Sequence, residues 1–272
     1  MSGIRRVALV TGAGRGIGAA TVRALAVDGW HVLAVDRAAD DAAVPYSLAT
    51  EADLVETITG AAEAAETCGA GGQIAAVRAD VRDVGALTAA VAEAEARWGG
   101  LDAAIGCAGV IAGGASQWKV PAEQEKAVLD IDLGGVLNLA RAAIPALLRR
   151  PQPRSGRFLA VASAAATRGL PTIAAYCAAK AGVAGLIRAL AVELGPMGVT
   201  ANAVSPGSTA TAMLDASARL YDLAGPEAFL SMQPVGRILA PAEVAAVLAF
   251  LASPASSAMT GAVVPVDGGM AL

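Results

Sequence analysis

Thr11-Gly12-Ala13-Gly14-Arg15-Gly16-Ile17-Gly18 is the stretch on which the reading of this chain turns. An apolar run at residues 6–10 leads into it, and a helical pattern over residues 18–28 leads out. Glycine permits a tight turn here and lets the backbone come close to a pyrophosphate. The helix that follows offers unpaired N–H groups and a partial positive charge at its start. Gly-rich turns without a ligand are common, so the motif takes its meaning from the strand–turn–helix context. Gly12, Arg15, Gly16, Ile17 and Gly18 are therefore candidate dinucleotide contacts.

Working outward, a second strand over residues 31–35 ends at Asp36, 18 residues beyond Gly18. A carboxylate there accepts hydrogen bonds from an adenosine ribose and repels a 2′-phosphate, which favours NAD over NADP. Arg37 argues the other way, because a guanidinium at that point can pair with a phosphate. Further strands are expected at 74–79, 101–107, 157–163, 200–204 and 262–266. Helices are expected at 85–98, 123–148 (interrupted or ended near Pro145), 174–194 and 242–251. Continuous apolar runs mark strands buried on both faces. Their alternation with helices predicts an α/β fold, a doubly wound, mostly parallel sheet with helices on both faces, as a single domain over 1–272. Two stretches look irregular: 38–50 is polar, Ala-rich and broken by Pro45, and 209–234 is helical but weakly patterned. In such sheets ligands bind at the carboxyl ends of the strands.

Composition narrows the function. Hydrophobic residues are 56% and charged residues 16%, which suits a packed core and not a disordered chain. The net charge is −4, and the one basic cluster, Arg149, Arg150, Arg154 and Arg157, is broken by Pro151 and Pro153. It reads as a solvated loop, so no nucleic-acid partner is expected. The mean hydropathy of +0.57 raises the question of a membrane. Charges, Gly and Pro interrupt every long apolar stretch, and the strand pattern begins directly after the first residues, so neither a membrane span nor a signal peptide is expected. Cys68, Cys107 and Cys177 are odd in number and lack metal-ligand spacing, which fits a reducing cytoplasm. His31 is the one histidine, so a His-based triad or multi-His metal site is excluded and no metal is expected.

Tyr176 and Lys180 stand four apart on the 174–194 helix and share a face, while Ser163 ends a strand 13 residues earlier. Carbonyl reduction needs a proton donor at the carbonyl oxygen, and alcohol oxidation needs a base at the same place. A phenol titrates near 10, and a neighbouring ammonium favours its ionised form. A serine hydroxyl can hold the substrate oxygen. Tyr-x-x-x-Lys alone is common on helix surfaces; Ser163 and the glycine loop in the same chain give it chemical sense.

With these motifs in order, the sequence resembles the short-chain dehydrogenase/reductase family of roughly 250-residue type over nearly its whole length. Thr11, Gly12, Gly16, Ile17 and Gly18 carry the glycine pattern, and Asp80-Val81 resembles the pair that contacts adenine. Ser163, Tyr176 and Lys180 match the catalytic residues, and Pro206-Gly207 matches the turn that lines the nicotinamide. Thr211, with Thr209 beside it, matches the hydroxyl on the carboxamide, and Asp267-Gly268-Gly269 the C-terminal signature. The resemblance implies a Rossmann-like fold, a nicotinamide cofactor, an alcohol or ketone substrate and a homotetramer packed through helices 123–148 and 174–194.

Two departures stand out. The family's Asn-Asn-Ala-Gly reads Gly106-Cys107-Ala108-Gly109, and a thiol cannot replace an amide's hydrogen bonds. Cys107 is expected to be a small buried apolar residue, while Ala108 and Gly109 remain cofactor contacts. Asp132 stands where the family has the Asn whose main-chain carbonyl supports the proton relay. It joins Ser163, Tyr176 and Lys180 in the catalytic group, and its carboxylate, if near Lys180, raises the lysine's pKa. A narrower similarity lies in the connection from Asp36 to Asp80, long by family standards. The run 40–50 with Asp53-Leu54 resembles the insert of mycofactocin-associated members, which implies a non-exchangeable NAD reoxidised by mycofactocin. On this reading the insert near 37–72 covers the adenosine. Residues 209–234 form a substrate lid whose inner face is Met213, Leu214, Leu220, Tyr221 and Phe229. An NADPH-dependent ketoreductase and a catalytically inactive nucleotide-binding sensor are the alternatives.

Overall fold

The computed structural model describes residues 5–272. Its elements alternate as β1 (Val7–Thr11), α1 (Gly16–Val27), β2 (His31–Asp36), α2 (Glu51–Thr67), β3 (Ile74–Arg78), α3 (Val84–Trp98) and β4 (Ala103–Gly106). There follow α4 (Ala122–Leu129), α5 (Gly135–Arg149), β5 (Gly156–Val161), α6 (Ala174–Leu194), β6 (Val199–Pro206), α7 (Ala212–Leu220), α8 (Pro241–Ala252) and β7 (Val263–Val266). The seven strands make one parallel sheet in the order β3-β2-β1-β4-β5-β6-β7. The winding reverses between β1 and β4, so the loops leaving those two strands diverge and open a crevice.

Side chains alternate along each strand, and both faces are covered. Val7 and Leu9 of β1 join the layer under α3, α5 and α6; Ala8 and Val10 join the layer under α1, α2 and α8. This is why the strands read as unbroken apolar runs. Leu9, Leu33, Ile105 and Phe158 are fully buried, each such side chain contributing about 1.5–3 kcal/mol. Two helical stretches, Ala122–Arg149 and Ala174–Met197, are long and apolar enough to cross a membrane by length and composition. In this fold they cover one face of the sheet, and their inward residues belong to its core.

Two local expectations change. The helix expected to break near Pro145 runs through it to Arg149. Pro145 and Arg141, whose carbonyl loses a donor, both face solvent, which satisfies that carbonyl. The interruption falls at Asp130–Gly134, a π turn between α4 and α5. The second change is α2, a 17-residue helix within 37–72 that periodicity did not reveal. Thr50 Oγ1 accepts from the Asp53 N–H, and the Asp53 carboxylate accepts from the Thr50 N–H. That capping box was the legible signal. The stretch read as irregular, 38–50, contains no helix or strand, and α2 fills most of the rest of the insert.

Candidate functional site

A cleft of about 560 Å³ opens at the carboxyl ends of the strands. Its floor at one end is the glycine loop. Gly12 and Gly16 take φ of 64° and 59°, and a Cβ on Gly12 would lie 2.6 Å from the Ala108 backbone. A Cβ on Gly18 would lie 2.0 Å from the Gly12 carbonyl oxygen, so the turn closes only over glycine. Arg15, at the start of α1, gives no side-chain acceptor to the first-turn N–H groups. A glycine cradle beneath an uncapped helix N-terminus fits a pyrophosphate, which supplies the missing acceptors.

Asp36 closes the rim. One carboxylate oxygen accepts from the Gly14 N–H at 2.8 Å and the other from the Ala38 N–H at 2.9 Å. Beyond it Arg37 bonds Asp41 at 2.7 Å and lies 3.4 Å from Asp80, while Arg82 reaches Asp41 at 2.8 Å and Asp80 at 2.6 Å. Burial pushes the Asp80 carboxyl up, but the Arg82 hydrogen bonds overcome it and hold it below its ordinary value. Asp36, Asp41 and Asp80 stand here against Arg37 and Arg82, with Arg15 on the same end of the cleft wall. The Arg37 and Arg82 guanidiniums are already engaged by carboxylates. Val81 lines the cleft here, its loop held by Asn138 Nδ2 donating to the Val81 and Arg82 carbonyls. Gly135 permits that approach, since a Cβ there would sit 2.6 Å from the Val81 side chain.

At the other end, β5 delivers Ser163 and α6 delivers Tyr176 and Lys180, all lining the cleft. Ser163 caps a short 3-10 turn, its Oγ accepting from the Ala165 N–H at 3.1 Å, and its hydroxyl acts to lower the Tyr176 pKa. Lys180 is 3% exposed, donates to the Val161 carbonyl at 3.0 Å and holds its ammonium 5.6 Å from the Tyr176 ring centre. Asp132 does not line the cleft. It is fully buried behind Lys180, with Oδ2 3.1 Å from the lysine Nζ and Oδ1 accepting from the Val110 N–H at 2.8 Å. Burial raises the phenol of Tyr176, Lys180 lowers it, Asp132 raises it again, and the balance is upward. Burial works against the Lys180 ammonium, yet Asp132 and the phenol oxygen keep its pKa above the ordinary value.

The model describing enoyl-(acyl carrier protein) reductase, a short-chain dehydrogenase/reductase type, matches residues 12–271. The chain belongs to the short-chain dehydrogenase/reductase family. It is 39% identical to the short-chain reductase protein NovJ of Streptomyces niveus, over 97% of this chain and 93% of that one. It is 34% identical to trans-4-hydroxycyclohexanecarboxylate dehydrogenase of Sinomonas cyclohexanicum, over 97% and 92%. The crystal structure of carveol dehydrogenase from Mycobacterium avium in complex with NAD matches with a TM-score of 0.89 at 32% identity, covering 97% of both chains. This member is thus an oxidoreductase, and its relatives include NAD-bound dehydrogenases.

Ala108, Gly109, Pro206, Gly207, Thr209 and Thr211 all line the cleft between these ends. Thr211 also caps α7, its Oγ1 accepting from the Leu214 N–H at 3.3 Å and donating to the Thr209 carbonyl. Cys107, expected to be buried, is only half-buried and lines the cleft, while burial of its thiol pushes the pKa up to about 12, far from a reactive thiolate. Met213, Leu214, Tyr221 and Phe229 face the cleft, whereas Leu220 packs beside Gly114 outside it. The Tyr221 hydroxyl donates to the Pro171 carbonyl at 2.7 Å, joining 209–234 to the loop after β5.

The residue that motif reading passed over is Tyr46. Its hydroxyl accepts from the Ile111 N–H at 3.2 Å, Arg15 lies 5.9 Å from its ring, and the Arg15 guanidinium donates to the Ser47 carbonyl at 2.8 Å. Since β2 and β4 flank β1, this link from the segment after β2 to the loop after β4 crosses over the glycine loop.

Proposed function

We propose that this enzyme uses NAD to interconvert an uncharged, apolar alcohol and its carbonyl compound. The observation that carries the reading is one continuous cleft. At one end lie an uncapped helix N-terminus and the Asp36 carboxylate, and at the other lie Ser163, Tyr176 and Lys180. When bound, the nicotinamide dinucleotide supplies the redox chemistry. Gly12, Arg15, Gly16, Ile17 and Gly18 hold its pyrophosphate, and Asp36, Arg37, Asp80 and Val81 face the adenosine. Ala108, Gly109, Pro206, Gly207, Thr209 and Thr211 line the way to the nicotinamide. Asp36 at the end of β2 disfavours a 2′-phosphate, and Arg37 and Arg82 are already paired with carboxylates, so NAD is preferred over NADP.

Tyr176 gives a proton to the substrate oxygen in reduction and takes it in oxidation. Ser163 hydrogen-bonds the same oxygen. Lys180 supports the phenol electrostatically, and Asp132 acts through Lys180. The guanidiniums on the cleft wall, Arg15, Arg37 and Arg82, all stand at the dinucleotide end. The substrate end offers Leu170, Ile173, Met213, Leu214, Tyr221 and Phe229, which suits an apolar alcohol and gives a carboxylate no partner. The relatives named for carveol and for a hydroxycyclohexane acid support a cyclic alcohol. Residues 209–234 serve as its lid.

The 38–50 strap supports a further reading: NAD that does not exchange during turnover, with reoxidation by mycofactocin as electron acceptor. A homotetramer is the assembly proposed, through α4, α5 and α6. In the first half of α6 the exposed face is Ala174, Ala178, Ala181 and Gly185, small enough for close helix packing. The test is cofactor retention with turnover. Dialysed protein is denatured, the released nucleotide identified by mass, and native protein challenged with isotope-labelled NAD. Cyclic alcohols are then supplied with a dye acceptor. NAD release without label uptake, and dye reduction lost in Tyr176→Phe by about 10²–10⁴-fold, is the expected result. Dye reduction that survives Tyr176→Phe would overturn the catalytic assignment.

A further inference from the structure

Asp132 and Lys180 stand 3.1 Å apart in the interior, where burial pushes the Asp132 carboxyl up while the Lys180 ammonium and the Val110 N–H pull it down. The Val110 N–H donates to Oδ1 at 2.8 Å, and Oδ2, which accepts no hydrogen bond, lies 3.1 Å from the Lys180 ammonium as an ion-pair contact. A neutral amide in that slot would turn its NH2 toward one of the two donors. The π turn at Asp130–Gly134 places the residue there, and Gly109 leaves the room. A Cβ on Gly109 would lie 3.1 Å from Asp132 Oδ2 and 3.3 Å from Lys180 Nζ. Three separate features therefore converge on this one contact. The other titratable groups facing it are Tyr176 and Cys177 from α6, Cys107 from the loop after β4 and Tyr46 from the strap. Burial pushes the Cys107 thiol up to about 12, so it adds no charge to the group at neutral pH.

We propose that Asp132 is the fixed counter-ion of Lys180, a positioning residue that brings the buried Asp132–Lys180–Tyr176 group to zero net charge while the phenol keeps its proton. This rests on the assignment of Tyr176 as acid and base. With Asp132 ionised, proton loss takes the group from 0 to −1. With an uncharged residue there, proton loss takes it from +1 to 0, which a low-dielectric site favours more. The titration belongs to the group, not to one residue. The counter-ion thus keeps the site proton-loaded to higher pH, extending carbonyl reduction upward and moving alcohol oxidation to alkaline conditions.

Phenolate titration and a melting cycle test this without a substrate, and the pH profile of alcohol oxidation adds a third readout. The chain has three tyrosines, so ultraviolet titration of phenolate, taken as the difference between a protein and its Tyr176→Phe counterpart, isolates Tyr176. Asp132→Asn lowers that midpoint by about one pH unit or more, and the pH midpoint of alcohol oxidation moves down with it. An unchanged midpoint in the folded variant overturns the proposal. The second measurement is a melting cycle. Asp132→Asn lowers the melting temperature when Lys180 is present and raises it in a Lys180→Met background, where the carboxylate is left unpaired. Equal losses in both backgrounds would make Asp132 a partner of Val110 alone and overturn the proposal. If Asp132→Asn does not fold by itself, the comparison of Lys180→Met with the double variant still decides. If no alcohol is oxidised by the unaltered enzyme, the proposed reaction fails while phenolate titration and melting still judge the counter-ion.

Discussion

Tyr46→Phe is the most informative single change, because it removes one oxygen and leaves the ring. In the native protein that oxygen accepts from the Ile111 N–H, a link spanning 65 residues of sequence and the width of the cleft above the glycine loop. The net worth of such a bond is about 0.5–1.5 kcal/mol, and leaving the partly buried N–H unpaired adds to the cost. A weakening of about 1–2 kcal/mol raises the open fraction of the strap roughly 5–30-fold. The ring keeps its place beside Arg15, and Ser47 keeps the Arg15 bond, so the cofactor contacts are otherwise preserved. The assay is uptake of isotope-labelled NAD by dialysed protein over time. Exchange should accelerate by that factor in Tyr46→Phe and further in Tyr46→Ala, which also loses the cation–ring contact. The overall melting temperature should change little, because the strap lies outside the main sheet. Unaltered exchange in both variants would show that the strap does not govern cofactor release, and residues 38–50 would be a surface loop.

Three other outcomes follow from the same geometry. Gly18→Ala places a methyl group 2.0 Å from the Gly12 carbonyl; the loop must open, and calorimetry should find dinucleotide binding weakened by more than tenfold, about 1.4 kcal/mol. Asp36→Ala frees the Gly14 and Ala38 N–H groups and removes a rim carboxylate. The ratio of NADP to NAD use should rise in steady-state assays, and an unchanged ratio would reassign Asp36 to a purely structural turn. The third outcome concerns pH. Burial raises the Asp41 and Asp80 carboxyls, but backbone donors and Arg82 bring both below their ordinary values. A depressed carboxyl stabilises the fold above its unfolded pKa of about 3.9, and that contribution disappears as pH falls through the lower folded value. Arg82→Met should therefore lower the melting temperature most near neutrality, and the difference from the unaltered protein should close as the pH drops below about 4.

Much of this enzyme was written locally in its sequence. The alternation of apolar runs with helical patterns determined the doubly wound sheet, because strands covered on both faces have no polar side to show. The glycine loop, Asp36, Ser163, Tyr176 and Lys180 were legible because each lies at a strand end or on one helix face. The chemistry there demands particular residue types over short spacings. What the sequence left open joins segments that meet only after folding. Asp132 and Lys180 stand 48 positions apart, and only the π turn and the bare backbone of Gly109 let them touch. Tyr46 reaches Ile111, and Asn138 on α5 holds the loop at Val81, through contacts that no periodicity encodes. Pro145 shows the same limit from the other side: whether a helix survives a proline depends on whether solvent can reach the freed carbonyl, and the position of the helix on the sheet decides that. Residue types set which contacts were chemically possible, and the tertiary structure selected among them by bringing donors, acceptors and charges within about 3 Å in a space that excludes water.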